Sequence, residues 1–275
     1  SSAINQPEHP QSSESFSTWK IAEQTGNQEF NELFRTVPSV SFFDNGSGFN
    51  DSEIRIRGNE PKQTGYKLDG ILLNNPENGK VQSSALSGLT DWSRQIQVTN
   101  GQAAILQSQA PAGGLVNVLS VLPNEKSGAE ILAVYGNSGI LKTSGTVHSG
   151  LSKKGLASVF RLSRTSGDGL AENTAFEQYS LFAGVHKEFN HRNTLVLNLA
   201  LVQQKHDRNA ADTIGAYNYF GPRYNANWGI LNKQSYSWST SFERSPLISL
   251  THFWQPRIKT HITTQLHDKD NKPNT

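Results

Sequence analysis

The stretch IRIRGNEPKQTGYKLDGILLNNPENG, residues Ile54–Gly79, predicts a compact β unit and not a catalytic site. It opens with an alternating strand that places Arg55 and Arg57 on one face. A polar segment then leads to a second strand that ends in Asp69 and Gly70, a dipeptide typical of hairpin turns. The stretch contains no nucleophile motif, metal-ligand cluster or phosphate-binding loop. Its arginines and its tight turn therefore call for an explanation from the rest of the chain.

Composition excludes several classes of protein. Apolar residues make up 35% of the 275 residues. The sequence contains no run of 18 apolar residues, the length that would predict a membrane-spanning helix. A formal charge of +2 gives no electrostatic case for a nucleic-acid partner. The absence of cysteine excludes disulfides and thiol catalysis, and the eight histidines are scattered. We therefore predict no enzyme activity, no metal and no cofactor, because no catalytic constellation stands out.

The N-terminal part of the chain has a mixed pattern. Residues 1–15 are polar and contain two prolines, so we expect a flexible arm. Within residues 16–123, apolar spacing predicts a short helix over 27–35. Strands are expected over 40–43 and 94–99, because both segments are bounded by turn residues. This mixture favours a small α/β unit.

From about residue 128 to residue 275, strand-length segments alternate apolar and polar residues. The segment Thr194–Gln203 shows this best, with four leucines on one face. Strands of about ten residues have the length needed to cross a bilayer at a tilt. Short turns alternate with longer loops, including a long external loop over 205–246, as in outer-membrane barrels. On texture alone, a soluble β-sandwich or propeller remains an alternative.

Four motifs resemble those of the TonB-dependent outer-membrane receptors. In chain order they are NQEFNELF with VPSV, IRIRG, LDGILLN, and IQVTNG followed by AGGLVNV. Each motif alone is weak, but four in this order over about ninety residues are specific. The segment RYNANWG at 223–229 is similar to an external segment in one branch of these receptors. The chain departs from the family pattern at Asn100, where arginine is usual, and at Pro76. No clear TonB box precedes Phe16, and the best candidate lies near residues 12–18.

The resemblance implies a membrane all-β fold with a mixed α/β plug. The plug, residues 16–123, would lie inside an antiparallel outer-membrane β-barrel of about 22 strands. Residues 128–275 would supply about seven of these strands. Open sheet edges in lipid leave unpaired backbone groups that cost on the order of several kcal/mol each. We therefore expect an N-terminal piece: a truncated chain, a cleaved product or one half of a split receptor.

The resemblance also implies contacts between plug and barrel. The expected contact residues are Arg55, Arg57, Asp69, Gly70, Gly113 and Gly114. The two arginines would point toward acidic groups on the barrel wall, since a ring of ion pairs can hold the plug in place. Without the motifs, an ordinary solvated strand face is the favoured explanation of both arginines; with the motifs, contact with the barrel wall is favoured. Gly113 and Gly114 would allow close packing where the plug meets the barrel.

The long external loop carries the expected substrate-binding residues. These are Tyr217, Tyr219, Arg223, Tyr224 and Trp228, a set that suits sugars, peptides or chelates. An aromatic girdle at the membrane surface explains the same residues equally well.

The implied function is TonB-dependent uptake of a nutrient, a chelate, oligosaccharide or peptide, across the cell outer membrane. The implied partners are the C-terminal domain of TonB on the periplasmic side, outer-membrane lipids, and the remaining barrel strands. Those strands would come from a missing C-terminal part or from a second chain, and a surface lipoprotein is a further candidate partner. Two alternatives stay open: a non-transporting structural subunit or half of a split barrel in a larger assembly, and a soluble glycan-binding module.

Overall fold

The computed structural model describes residues 13–17, 21, 29–44, 49–81, 83–100, 113–123, 126–257 and 260–269. The described residues form an N-terminal unit of short elements and a C-terminal sheet of long strands. No helix in this part of the chain has the length and apolar character needed to cross a membrane. Residues 13–15 belong to a strand, so the expected arm is at least three residues shorter, and its residues 1–12 lie outside the described residues.

The N-terminal unit is built from short strands and short helices. Its elements are β1 Ser13–Ser17, a 3-10 helix Phe30–Thr36, β2 Val40–Asp44, β3 Ser52–Ile56, a 3-10 helix Pro61–Gln63, β4 Thr64–Leu68, β5 Ile71–Leu72, α1 Ser83–Ser87, α2 Leu89–Trp92, β6 Ser93–Asn100 and β7 Gly114–Ser120. Five strands form one sheet in the order β1-β6-β7-β4-β5. Strands β4 and β7 run parallel and the other pairs are antiparallel, while β2 and β3 form a separate hairpin.

Alternating burial along β3 accounts for Ile54, Arg55 and Ile56 of the opening motif. Ile54 and Ile56 are buried in the core of the unit, whereas Arg55 between them is exposed. The strand ends at Ile56, and Arg57 has a φ of 53° in the turn that follows. The sequence prediction that both arginines share a strand face is therefore wrong for Arg57. The turn is left-handed at this residue and at Gly58, so the chain reverses before the arginine can join the strand.

The C-terminal part is one antiparallel sheet interrupted by a folded insertion. In chain order its elements are β8 Ser127–Tyr135, β9 Leu141–Ser149, β10 Leu156–Gly167, β11 Phe176–Asn190, β12 Asn193–Asp207, α3 Ile214–Phe220, β13 Trp228–Leu231, β14 Gln234–Ser237, β15 Thr240–Arg257 and β16 Thr260–Lys269. Seven strands pair in the order β16-β15-β12-β11-β10-β9-β8, and β13 and β14 form a small hairpin. The sheet thus follows chain order, with the insertion between β12 and β15.

After the first hairpin, whose turn is residues 136–140, the connections differ in length at the two ends of the seven-stranded sheet. Residues 150–155 and 191–192 are short turns, whereas residues 168–175 and 208–239 are longer. The longest connection is shorter than the expected 205–246 because β12 and β15 extend to Asp207 and from Thr240. It also has structure of its own, in α3 and the β13–β14 hairpin.

The two faces of the seven-stranded sheet have different chemistry. On β12, Ala200, Val202 and Gln204 are buried, whereas Leu197 and Leu199, which precede them on the alternating face, are about 40% exposed. We call the buried face inward, because it packs against the N-terminal unit, and the opposite face outward. The hydrophobic core of the N-terminal unit continues into inward side chains of the sheet, including Val202. The sheet therefore turns the leucines of β12 away from the unit that it packs on.

Candidate functional site

The strongest contact between the N-terminal unit and the sheet is a buried ion pair. Asp91 of α2 lies 2.6 Å from the ammonium group of Lys142 on β9. The hydroxyl of Ser163 on β10 donates to the other carboxylate oxygen of Asp91 at 2.6 Å. The side chains of Asp91 and Lys142 are 2% and 10% exposed. One carboxylate thus joins the helix to two neighbouring strands.

The protonation of Asp91 reflects two opposing effects. Burial alone would raise its pKa, because a charged carboxylate is poorly solvated in the interior. Lys142, Ser163 and Arg161 together outweigh burial and hold the pKa of Asp91 below its usual value. The carboxylate is therefore charged at neutral pH, and its charge depends on the cations that the sheet supplies.

The turn at Asp69 and Gly70 forms a second contact. Both residues have positive φ, 50° and 89°, as the sequence prediction of a hairpin turn requires. The Asp69 carboxylate accepts from the Ser120 backbone at 2.9 Å and from Asn198 on β12 at 3.2 Å. Its carbonyl accepts from Gln265 on β16 at 3.1 Å. Burial is the largest effect on Asp69 and raises its pKa.

Further hydrogen bonds extend the contact along the sheet. Lys269 on β16 donates to the carbonyls of Leu72 and Asn74 at 2.6 and 3.0 Å. The hydroxyls of Ser84 on α1 and Ser245 on β15 lie 2.7 Å apart. At the long-loop end, the rings of Phe49 and Phe176 stack at 3.7 Å. The N-terminal unit is therefore contacted by six strands of the sheet, β9, β10, β11, β12, β15 and β16.

A glycine allows α1 and α2 to approach the sheet closely. A Cβ atom at Gly88 would lie 2.5 Å from a methyl group of Val202 and 2.6 Å from the Trp92 ring. Real Cβ atoms do not make such short contacts. Nothing in the sequence spacing of Gly88, Asp91 and Lys142 marks them as partners, so the sequence alone does not indicate this contact.

The structure places the two arginines of the opening motif elsewhere. The guanidinium of Arg55 lies 4.8 Å from the centre of the Phe43 ring, within the N-terminal unit. Among the described residues, neither Arg55 nor Arg57 forms an ion pair with the seven-stranded sheet. The expected pairing of these arginines with acids on this part of the wall is therefore wrong. In the observed ion pair the acid, Asp91, lies on the N-terminal unit, and the cation, Lys142, lies on the sheet.

Two of the expected contact glycines also lie elsewhere. A Cβ at Gly113 would meet the Gln63 carbonyl at 2.7 Å, and one at Gly114 would meet Ile56 at 2.8 Å. These neighbours belong to the N-terminal unit, so the two glycines allow close packing inside it. They lie inside the unit because β7, which begins at Gly114, is the central strand of the five-stranded sheet.

A cavity of about 440 Å³ opens between the N-terminal unit and the longer loops. It is lined by Glu29, Glu32, Phe42, Asp44, Phe49, Asn137, Ser138, Ile140, Gly169, Leu170, Ala171, Thr174, Phe176, Asn209, Tyr217 and Pro222. Its charged lining residues are all acidic. Burial raises the pKa of Glu29 to about 7, although its carboxylate accepts from the Asn50 backbone at 2.5 Å. The floor of the cavity thus carries carboxylates, one of which titrates near neutral pH.

The expected substrate-binding residues come together only in part. Tyr217 lines the cavity, whereas Tyr219 on the same helix is 83% exposed. Arg223 donates to the Leu170 carbonyl at 3.0 Å and so links two of the longer loops. Tyr224 stacks on the Phe220 ring at 4.6 Å. Trp228 begins the β13–β14 hairpin and is absent from the cavity lining.

Comparison with known proteins agrees with this architecture. Residues 5–115 match the family described as TonB-dependent Receptor Plug Domain. The vitamin B12 transporter BtuB of Photobacterium profundum is 27% identical over 148 residues, covering 54% of this chain and 24% of the relative. The ferric enterobactin receptor of Pseudomonas aeruginosa is 30% identical over 131 residues, covering 42% of this chain and 17% of the relative. The chain carries the plug domain of the TonB-dependent receptors.

Solved structures of the family share the fold. The ferric citrate transporter FecA, unliganded, matches 94% of this chain and 40% of its own, with a TM-score of 0.76 and 18% identity. The receptor FpvA of P. aeruginosa, bound to a heterologous pyoverdine, matches 95% of this chain and 34% of its own, with a TM-score of 0.77 and 13% identity. The N-terminal unit is therefore a plug, and the seven-stranded sheet is part of an outer-membrane barrel. The family is one of transport receptors and not of enzymes, and its members lie in the outer membrane.

The buried ion pair makes a prediction about plug stability. Replacing Lys142 by Met leaves Asp91 buried without its main counter-charge and should destabilise the plug by about 3 kcal/mol. Adding Asp91→Asn should recover much of this loss. The measurement is the shift of the plug unfolding transition by calorimetry of the receptor in detergent.

The control and the pH dependence sharpen this test. Arg164→Gln removes an exposed ion pair with Glu177 and should cost less than about 1 kcal/mol.

In Lys142→Met the burial of Asp91 should raise its pKa, so stability should increase as pH falls from 7 to 4. In the wild type the lowered pKa gives the opposite trend, because its contribution is lost as pH falls. Equal losses for the single and the double variant would contradict the assigned coupling.

Gly88 makes a prediction about close approach. Gly88→Ala should destabilise contact between plug and barrel by about 1–3 kcal/mol, because the added methyl overlaps Val202 and Trp92. A second change, Val202→Ala, should relieve part of this cost. Gly128→Ala is the matched control, since a Cβ there meets no atom within 4 Å. The same calorimetric transition measures all three, and equal values for Gly88→Ala and Gly128→Ala would contradict the assignment.

Proposed function

We propose that this chain is the gating part of a receptor that takes up a nutrient across the outer membrane, energised by TonB. The observation that carries the proposal is the cavity between the plug and the longer loops, above a plug that polar contacts hold against the barrel. The chain spans about a quarter or less of the curated relatives that it matches, so the activity of the whole receptor is inferred. In this proposal the plug spans residues 16–123 and the first part of the barrel spans residues 128–275.

The cavity is the proposed binding site for the nutrient. Relatives are named for vitamin B12 and ferric enterobactin, and structural neighbours for ferric citrate and pyoverdine, so a compact chelate or cofactor is the favoured class. The carboxylates of Glu29, Glu32 and Asp44 favour a substrate that presents hydrogen-bond donors or positive charge toward the plug. Tyr217 supplies an aromatic surface on the loop side. Of the five substrate residues expected from sequence, we retain Tyr217 as the contact residue.

The proposed route of energy transfer begins at the N-terminus. Strand β1 lies at the edge of the plug sheet and pairs with β6 alone among the described strands. An edge strand can be removed without breaking the other pairings of its sheet, so a pull from TonB would act there first.

Strands β8 and β16 each pair on one side among the described residues, and we propose that further barrel strands cover both edges.

A deletion tests coupling to TonB. Removing residues 1–20 should abolish accumulation of substrate while cell-surface binding remains. The probes are labelled cyanocobalamin, ferric enterobactin, ferric citrate and ferripyoverdine, given to cells that express the native receptor or the deletion variant. A protonophore should give the same loss in cells with the native receptor. Continued accumulation by the deletion variant would favour a TonB-independent or structural role.

A cross-link tests movement of the plug. Ser84→Cys with Ser245→Cys should form a disulfide, because the two hydroxyls are 2.7 Å apart and the sequence contains no other cysteine. Oxidation should reduce uptake by at least about tenfold and leave binding unchanged, since a bonded plug cannot leave the wall. Dithiothreitol should restore uptake, and each single variant is a control. Normal uptake by the fully oxidised pair would mean that the plug does not separate from β15 during transport.

A further inference from the structure

The outward face of the barrel strands carries an apolar band of membrane dimensions. Directly paired outward residues give rows of leucine and other apolar side chains, such as Leu162, Leu181 and Leu201. Toward the short-turn end the outward residue of β15 is Trp254, and at the other end it is Arg244. Between these residues the strand rises roughly 34 Å, or about 25 Å across a bilayer at the usual tilt. The band therefore fixes how deep the sheet lies in the membrane.

Three cations border this band at the long-loop end. Arg164, Tyr179, Gln203 and Arg244 form one directly paired outward row across β10, β11, β12 and β15. Lys205 belongs to the next row, with Glu177 as its partner on β11. The three cations are exposed, and Arg164 lies two residues from Leu162, or roughly 7 Å along the strand. Their charged groups thus reach the level where an apolar bilayer interior meets its headgroups.

Neighbouring side chains support this depth. Aromatic residues occupy the same two rows, with Tyr179 in the first and Phe242 in the second, as in the aromatic girdles of barrels. Among the described residues of these rows, Glu177 is the only acid. Its carboxylate already accepts from Arg164 at 2.7 and 2.9 Å and from the Tyr179 hydroxyl at 2.8 Å. Positive charge therefore exceeds negative charge at this rim.

We propose that Arg164, Lys205 and Arg244 form a binding surface for the phosphate groups of outer-leaflet lipids. The long loops of a barrel face the cell exterior, so this rim lies in the outer leaflet. The backbone positions of Arg164 and Arg244 are three strand spacings apart, roughly 14 Å. Long side chains at this separation can contact one headgroup that carries two phosphates. The surface holds the barrel at a fixed depth, and it is independent of the nutrient site.

A lipid source fits the position better than free phosphate does. The cations project from a face whose next rows are leucines, so a ligand must tolerate an apolar surface beside its phosphate. The acyl chains of a lipid meet that requirement, whereas inorganic phosphate gains nothing from it. Arginine also suits phosphate through paired hydrogen bonds from its planar group.

The test is native mass spectrometry of the native receptor, extracted in detergent and titrated with bis-phosphorylated lipid A. The second arm uses the same lipid without phosphates, and the third adds inorganic phosphate as competitor. Each change to Gln, at Arg164, Lys205 or Arg244, should weaken lipid binding about fivefold, and the triple variant about a hundredfold. Lys187→Gln is the matched control, because Lys187 is an outward cation near the opposite rim of the sheet.

The outcomes separate the alternatives. Loss of binding in the triple variant, together with weak binding of the phosphate-free lipid, supports the proposal. Binding by the triple variant equal to wild type would overturn it, as would equal binding of the phosphate-free lipid. Displacement of the lipid by millimolar inorganic phosphate would identify a site for soluble phosphate. Loss of lipid binding in Lys187→Gln alone would place the lipid at the other rim. Either result would overturn the proposal. Lys205→Gln keeps the Arg164–Glu177 pair, so its result does not depend on that pair for folding.

Discussion

The buried ion pair between Asp91 and Lys142 is the contact on which the assembly of plug and barrel most depends. A buried carboxylate without a partner would be costly, so the pair constrains where α2 can lie. Asp91 also accepts from Ser163, which ties the helix to β10 as well as β9. Close approach at Gly88 and the polar turn at Asp69 then fix the same face of the plug at two further positions. A shift of either partner would leave a charge buried without its counter-charge, so the pair restricts the position of α2 against β9.

The division of the barrel strands into two faces follows from the same constraint. Inward positions carry serine, threonine, glutamine and histidine, and three of these residues, Ser163, Gln178 and Gln204, hydrogen bond to the plug. Outward positions carry exposed leucine and phenylalanine, as on the lipid-facing side of outer-membrane barrels. Four apolar inward residues, Val159, Phe182, Ala200 and Val202, also join the hydrophobic core of the plug. The interface therefore combines polar contacts with a continuous apolar core.

Much of the fold could be predicted from the sequence, because the decisive signals are local. Alternating leucines at 195–201 predict a two-faced strand, and Asp69 with Gly70 predicts a turn. The partners of that turn could not be predicted, since Asn198 and Gln265 are far away in sequence. The same reason hides the pairing of Asp91 with Lys142. Arg55 and Arg57 were misplaced because a family motif indicates a strand but not the orientation of its last residue.

Hydrogen–deuterium exchange of the native receptor in detergent tests the central claim most directly. If the ion pair holds the plug against the barrel, amides of residues 86–92 should be protected as strongly as those of β9 and β10. In Lys142→Met the same amides should lose protection while β9 and β10 keep theirs. Rapid exchange of residues 86–92 in the wild type would contradict the account, as would unchanged protection in the variant. Either of these results would mean that the plug is held by other contacts.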